Sequence, residues 1–175
     1  MDFTLTDEHK LVRAAARSFV EAEILPNIRE WDEKGEVHRE IFAKMAEMGF
    51  LGAPIPERYG GSGMDYVSFA ILCEELERAD TAFRVVQSVH VGLNSLTLLQ
   101  WGTEEQRRRW LVPQAKGEKL ATFALTEPGV GTDAASLATM ARRDGDSYVL
   151  NGHKIWISLA DLADHFLVFA TVDRA

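Results

Sequence analysis

Two stretches of this sequence combine residue types at spacings that could do chemistry. One is Thr126-Glu127-Pro128-Gly129-Val130-Gly131-Thr132-Asp133, the other Lys154-Ile155-Trp156-Ile157-Ser158. The β-compatible run Thr122-Phe123-Ala124-Leu125-Thr126 leads into the first and stops at its Pro-Gly pair, a strong turn signal. Gly129 and Gly131 carry no side-chain bulk, so backbone N–H groups there can approach a ligand and cradle an anion. Thr126 and Thr132 add hydroxyls that both donate and accept. In the second stretch a period of two places Trp156 and Ser158 on one face and Ile155 and Ile157 on the other, turned to a core. An aromatic plane beside a hydrogen-bonding group suits a flat heteroaromatic ring. The plain alternative is a tight turn between two strands.

Other chemistries find less support. No Gly-Lys-Ser/Thr follows the glycines, no helix opens directly after them, and no βαβ unit is present, so neither a P-loop nor a Rossmann site is indicated. The five histidines, His9, His38, His90, His153 and His165, do not pair with one another or with Cys73 at helical spacing, so no metal site is expected. No Gly-x-Ser-x-Gly elbow occurs. Glu74, Glu75 and Glu77 look like paired carboxylates, yet a charged helix flank accounts for them better.

The elements that would position these stretches read as helices first and strands later. Residues 5–25 repeat apolar positions at Val12, Ala15, Ala16, Phe19 and Val20, are interrupted at Pro26, and resume briefly around Ile28 and Trp31. A second helix spans 37–48, closed by Gly49, with Ile41, Phe42, Met45 and Met48 on one face. The loop that follows is dense in Gly and Pro up to Gly63, and a loop of that length tends to be functional. A third helix covers 64–78. A fourth, 82–101, is apolar nearly all round and should therefore be central. Thr103 and Gln106 form a capping box for a short fifth helix ending before Pro113. From Leu120 the period becomes two, with hairpin turns at Asp144-Gly145 and Asn151-Gly152 and strands over 137–142, 148–150, 154–158 and 166–172. The resulting division is a helical domain over 1–118 and an incomplete antiparallel β domain over 119–175.

Composition is that of a water-soluble globular chain: 175 residues, 46% hydrophobic and 26% charged. A net charge of −8 argues against nucleic acid and against an anionic membrane surface. No apolar run is long enough to span a bilayer and the acidic start is not that of a signal peptide, which makes a cytoplasmic setting the expectation. The single cysteine, Cys73, forms no internal disulfide framework and reads as a buried, inert thiol.

Thr-Glu-Pro-Gly-x-Gly-Thr-Asp at 126–133, followed by Asn-Gly-x-Lys-x-Trp-Ile-Ser at 151–158, resembles the acyl-CoA dehydrogenase family of flavoenzymes. The resemblance extends to Thr103-Glu104-Glu105-Gln106-Arg107 before Leu111-Val112-Pro113, and to Pro54 with Tyr59-Gly60-Gly61-Ser62-Gly63. It implies an α+β fold, with an all-α domain followed by part of an antiparallel β barrel or sandwich and no C-terminal helical domain. It implies FAD as cofactor, an acyl-CoA substrate, an electron-transferring flavoprotein as acceptor, and a homotetramer at full length. In such enzymes a proton leaves the carbon α to the thioester while hydride leaves the β carbon for flavin N5. The base is a carboxylate of the C-terminal domain, so no catalytic residue is assigned and the chain is expected to be inactive alone.

By the same resemblance, Phe123, Ala124, Leu125 and the Thr126 hydroxyl hold the isoalloxazine edge. Gly131 belongs to the cofactor turn, and Thr132 meets the flavin pyrophosphate or the CoA arm. Trp156 and Ile157 pack at the ring, and Ser158 bonds near O4 and N5. Leu159-Ala160 departs from the Asn-Gly of many members. An oxygen-using oxidase or monooxygenase of the same superfamily, and a non-enzymatic helical fragment, are the alternative readings. Arg84, Val85, Ser88 and Val89 start the fourth helix, which in the family lines the acyl pocket. Aromatic-Arg followed by Ser-Val is similar to glutaryl-CoA dehydrogenases, where Arg and Ser receive a distal carboxylate. The alternative is an Arg84 held by Glu74 or Glu77, leaving a short, cyclic or branched acyl group as substrate.

Overall fold

The structure, a computed structural model, describes residues 4–172; the first and last three residues lie outside that range. Helix α1 (Asp7–Phe19) begins at Thr6, whose hydroxyl accepts from the His9 N–H while the His9 ring answers the Thr6 N–H, a reciprocal cap. It runs on through a wide π turn at Val20–Ile24. Ala16, Phe19, Val20 and Ile24 are buried, whereas Ala15 is exposed. Gly35, at φ 64°, closes α2 (Ile28–Lys34), and α3 (Arg39–Glu47) buries Ile41, Phe42 and Met45 but leaves Met48 exposed. Helix α4 (Tyr66–Glu77) is capped by Asp65, and α5 (Thr81–Val86) by Asp80.

From α5 the chain continues without a break through wide turns at Gln87–Ser95 into α6 (Leu96–Trp101). This is the central helix expected from its composition, but its deepest positions are not all apolar. Gln87, His90, Asn94 and Ser95 are buried beside Phe83, Val86 and Val91, while Leu93 is exposed. Phe83 lies 5.9 Å from the Trp31 ring and 6.3 Å from Phe42, and joins α2, α3 and α5 in one core.

The fifth helix does not end before Pro113. Helix α7 (Glu104–Gln106), with the expected Thr103 capping box, passes through a wide turn at Arg107–Leu111 into α8 (Val112–Ala115), which includes Pro113. A proline clashes with the carbonyl four residues back, and in the widened turn Val112 already bonds five back, to the Arg107 carbonyl. The Gly/Pro-rich loop is a packed connector rather than an open one. Ile55 and Tyr59 are buried, and a Cβ on Gly61 would stand 2.1 Å from the Ile55 carbonyl.

In the β part, β2 (Met140–Asp144) and β3 (Ser147–Asn151) form the antiparallel hairpin signalled by Asp144-Gly145. By contrast β1 (Ala121–Ala124) and β4 (His165–Val168) pair in parallel, Ala121 opposite His165 and Ala124 opposite Val168. No strand forms over 154–158, and Asn151-Gly152 is not a hairpin turn. Trp156 at φ 58° and Leu159 at φ 64° are left-handed, which extended backbone excludes. Gly152 instead serves close approach, because a Cβ there would meet the Thr139 hydroxyl at 2.2 Å.

The acidic run on α4 is also more than a solvated flank. Glu75 is wholly buried and accepts from Arg17 twice (2.8 and 3.0 Å), from Arg78 (2.7 Å) and from Arg13 (3.2 Å), which ties α1 to α4. These bonds, led by Arg17, hold its carboxyl below the usual range. Arg39 crosses to the β part, pairing with Asp164 and donating to the Leu162 carbonyl at 3.2 Å. Cys73 is partly buried, and burial pushes its thiol up.

Candidate functional site

The first loop is positioned by β1, and β1 is docked on the central helix by a polar network that the apolar pattern of that helix concealed. The Ala121 N–H donates to His90 Nδ1 at 3.0 Å, so the proton of that ring is on Nε2, which donates to the Gln114 carbonyl at 3.1 Å. Burial pushes His90 down to about 4, and it is a neutral, two-sided connector. Asn94 donates to the Thr122 carbonyl at 2.7 Å, and the Gln114 amide to His165 Nδ1 at 3.2 Å. The available signal was a polar pair at i, i+4, His90 and Asn94, inside an otherwise apolar helix.

At the end of β1, the Phe123 ring packs at 4.9 Å, tilted by 53°, against Phe169, Ala124 is buried, and Ala124 O accepts from Phe169 N–H at 3.0 Å. Glu127 and Val130 exchange both backbone bonds at 3.0 Å, which makes Pro128-Gly129 a tight turn. A Cβ on Gly129 or Gly131 would meet no protein atom, so the turn faces open space, with Thr132 exposed beside it. The Thr126 hydroxyl bonds to no protein group among the described residues.

The second loop lies against the first. Ile155 N–H donates to Thr126 O at 3.0 Å, Lys154 Nζ to Leu125 O and to Glu127 Oε1, each at 2.8 Å, and the buried Thr122 hydroxyl to Ser158 O at 2.5 Å. Trp156 is 86% exposed and Ser158 is exposed, while Ile155 and Ile157 are half-buried. The exposed side of the expected pattern is therefore present, although Ile155 and Ile157 join neither buried core and left-handed turns rather than a strand produce the alternation. Leu159 and Leu162 pack against the helical core and anchor the far end of the loop.

Glu127 holds the inner ends together. Its carboxylate accepts from Lys154, from Ala138 N–H at 2.6 Å and from Thr139 N–H at 2.9 Å, and these bonds, with Lys154 foremost, lower it to about 2. A folded-state value below the unfolded one means stability that is present above the ordinary carboxylate range, about 4.3, and lost as pH falls. Acid unfolding followed by circular dichroism is expected to show this loss between that range and about 2. Glu127→Gln should flatten that part of the curve, and an unchanged slope would refute the assignment.

The helical candidates sit apart. Arg84 Nε donates to Glu77 at 2.7 Å and Nη1 to Ser88 at 2.9 Å, with Val85 and Val89 half-buried alongside. Of the two carboxylates considered for Arg84, Glu77 is the partner; Glu74 pairs with Arg13 at 2.8 Å. A cavity of about 500 Å³ opens elsewhere, between Leu98, Trp101, Trp110 and His165, and none of the cofactor or substrate residues assigned from the sequence lines it. Among the described residues no group of three or more His, Cys, Asp or Glu could hold a metal ion, and no helix is long and apolar enough to cross a membrane.

Residues 6–118 match the acyl-CoA dehydrogenase N-terminal domain, and residues 122–175 the middle domain. The chain belongs to the acyl-CoA dehydrogenase family. It is 43% identical over 174 residues to a short-chain-specific acyl-CoA dehydrogenase of Clostridium acetobutylicum, covering 99% of this chain and 46% of that protein. Butyryl-CoA dehydrogenase from Megasphaera elsdenii superposes with a TM-score of 0.94 at 38% identity, over 99% of this chain and 46% of that one. A glutaryl-CoA dehydrogenase of Mycobacterium smegmatis, solved in complex with FADH2, gives 0.93 at 36% identity, over 97% and 44%. The chain thus spans about half the length of the family relatives it matches.

Proposed function

We propose that this chain supplies the flavin-binding face and one wall of the acyl pocket of an FAD-dependent acyl-CoA dehydrogenase. The observation that carries this is the junction of two loops, presenting an exposed Trp156 beside an open glycine turn whose Thr126 hydroxyl has no partner among the described residues. The residues present fit FAD: an aromatic plane, an unengaged hydroxyl, and bare backbone at Gly129 and Gly131 where a phosphate can approach. FAD, when bound, supplies a two-electron acceptor for hydride from the acyl β carbon.

The chain's own residues bind and orient. Thr126 and Ser158 offer hydroxyls to the ring edge, Trp156 covers the ring and keeps water from it, and Thr132 meets the pyrophosphate or the CoA arm. The base that takes the α proton is not assigned to any residue here. An electron-transferring flavoprotein as acceptor and a homotetramer belong to the same proposal.

Arg84 and Ser88 read the distal end of the acyl group, with Val85 and Val89 lining its approach. Supporting a carboxylate there is the guanidinium itself, whose Nη2 donates to no protein group among the described residues. The second reading, a short, cyclic or branched acyl group, is favoured by the Glu77–Arg84 contact, which already neutralises the charge.

The test is Thr126→Val, which keeps the shape and removes the donor. Loss of this bond should weaken FAD binding or slow flavin reduction by about 1–2 kcal/mol, or about five- to thirtyfold. Titration of the full-length apoprotein with FAD and anaerobic bleaching of the full-length holoenzyme by butyryl-CoA measure the two quantities. If neither changes, the ring is held elsewhere.

A further inference from the structure

The two loops that face the flavin share no strand pairing. β1 pairs with β4, whereas the second loop leaves the separate β2–β3 hairpin. Trp156 follows Ile155 at φ 58°, a conformation that a bulky residue keeps only where its neighbours impose it. Two residues before it stands Lys154, whose side chain is 12% exposed against 3% for Glu127.

Lys and Glu are seldom so deeply buried unless paired, and an apolar pair of similar volume would serve stability as well or better. An apolar pair would not supply direction. The ammonium donates to Leu125 O and to Glu127 Oε1, both at 2.8 Å. The carboxylate in turn accepts the N–H groups of Ala138 and Thr139 at 2.6 and 2.9 Å. Leu125, Glu127, Ala138, Thr139 and Lys154 therefore meet at a single charged point, next in sequence to Thr126 and two residues from Trp156.

We infer that Glu127 and Lys154 are positioning residues for the flavin, setting the separation and angle between the Thr126 hydroxyl and the Trp156 ring. The inference rests on the flavin reading above and adds to it which buried groups hold the site in shape. It also accounts for the placement of an ion pair one residue from Thr126 and two from Trp156, where a packing role alone asks for no charge.

The experiment uses the protein that carries this chain, purified at its natural length. It measures FAD affinity by fluorescence titration, the resolution of the bound-flavin absorption bands, and the thermal midpoint of the apoprotein. Lys154→Met leaves Glu127 buried without its partner and is expected to lower the midpoint and weaken FAD binding by about tenfold or more. Lys154→Arg keeps the charge and should recover part of both.

The deciding variant is the double change Glu127→Gln with Lys154→Met, which leaves no unpaired charge. Its midpoint should return toward wild type, while FAD affinity stays at least about fivefold weak and the bands stay blurred. Should affinity and spectrum recover together with the midpoint, the pair is structural only and the inference fails. Wild-type protein that takes up no FAD would remove the flavin reading and this inference with it. Normal uptake with an unaffected double variant removes this inference alone.

Discussion

In urea denaturation of the 175-residue chain, Glu75→Ala is expected to lose about 3 kcal/mol of stability, and the thermal midpoint to fall by about 6–12 °C. The carboxylate is completely buried, while Arg13, Arg17 and Arg78 keep 28%, 46% and 46% of their side chains exposed. Removing it leaves three like charges converging on an empty site, and water reaches them only in part, which keeps the loss below the upper range for buried pairs. Glu74→Ala is the comparison. That side chain is 57% exposed in one contact with Arg13, and its loss should stay under about 1 kcal/mol. Similar losses for the two variants would mean that burial at Glu75 does not matter. The consequence reaches the proposed acyl site, because α4 also carries Glu77, the residue that holds Arg84.

The second large effect is on substrate choice. Arg84→Met should shift the ratio of kcat/KM for glutaryl-CoA over butyryl-CoA toward butyryl-CoA by about tenfold or more in the full-length enzyme. Arg84 offers a planar fork of donors, of which Glu77 takes Nε and Ser88 takes Nη1. The remaining donors can meet a carboxylate at the end of an acyl chain, and methionine replaces them with an apolar surface that suits an unsubstituted chain. An unchanged ratio would reduce Arg84 to a clasp between α4 and α5. A glutaryl-CoA rate below that of butyryl-CoA in the wild type would assign the pocket to short, cyclic or branched acyl groups.

Much of the site is local chemistry and so was legible in the residues. The Pro-Gly turn at 128–129, the open glycines and the exposure of Trp156 and Ser158 beside half-buried Ile155 and Ile157 depend on neighbouring residues alone, and each is present. The backbone that carries Trp156 was not legible. A period of two is shared by a strand and by any chain that alternates between a surface and a core, and only contacts from Thr122 and Thr126 decide for the turn. Glu127 read as part of a motif, yet its burial and its bond to Lys154 join residues 27 apart, a separation no periodicity reports.

At the level of the fold, the sequence alone determined the order of helices before strands, the helix cap at Thr103, and most of the aliphatic faces that build the core, because each follows from the 3.6 and 2.0 periods and from side chains bonding to nearby backbone. Tertiary structure decided what those periods cannot encode. It paired β1 with β4 in parallel, since strands 44 residues apart in register find each other only through the helix that docks β1. It also turned polar residues inward: His90, Asn94 and Glu75 are buried because partners on other elements satisfy them, and a buried polar group is stable only where such partners arrive.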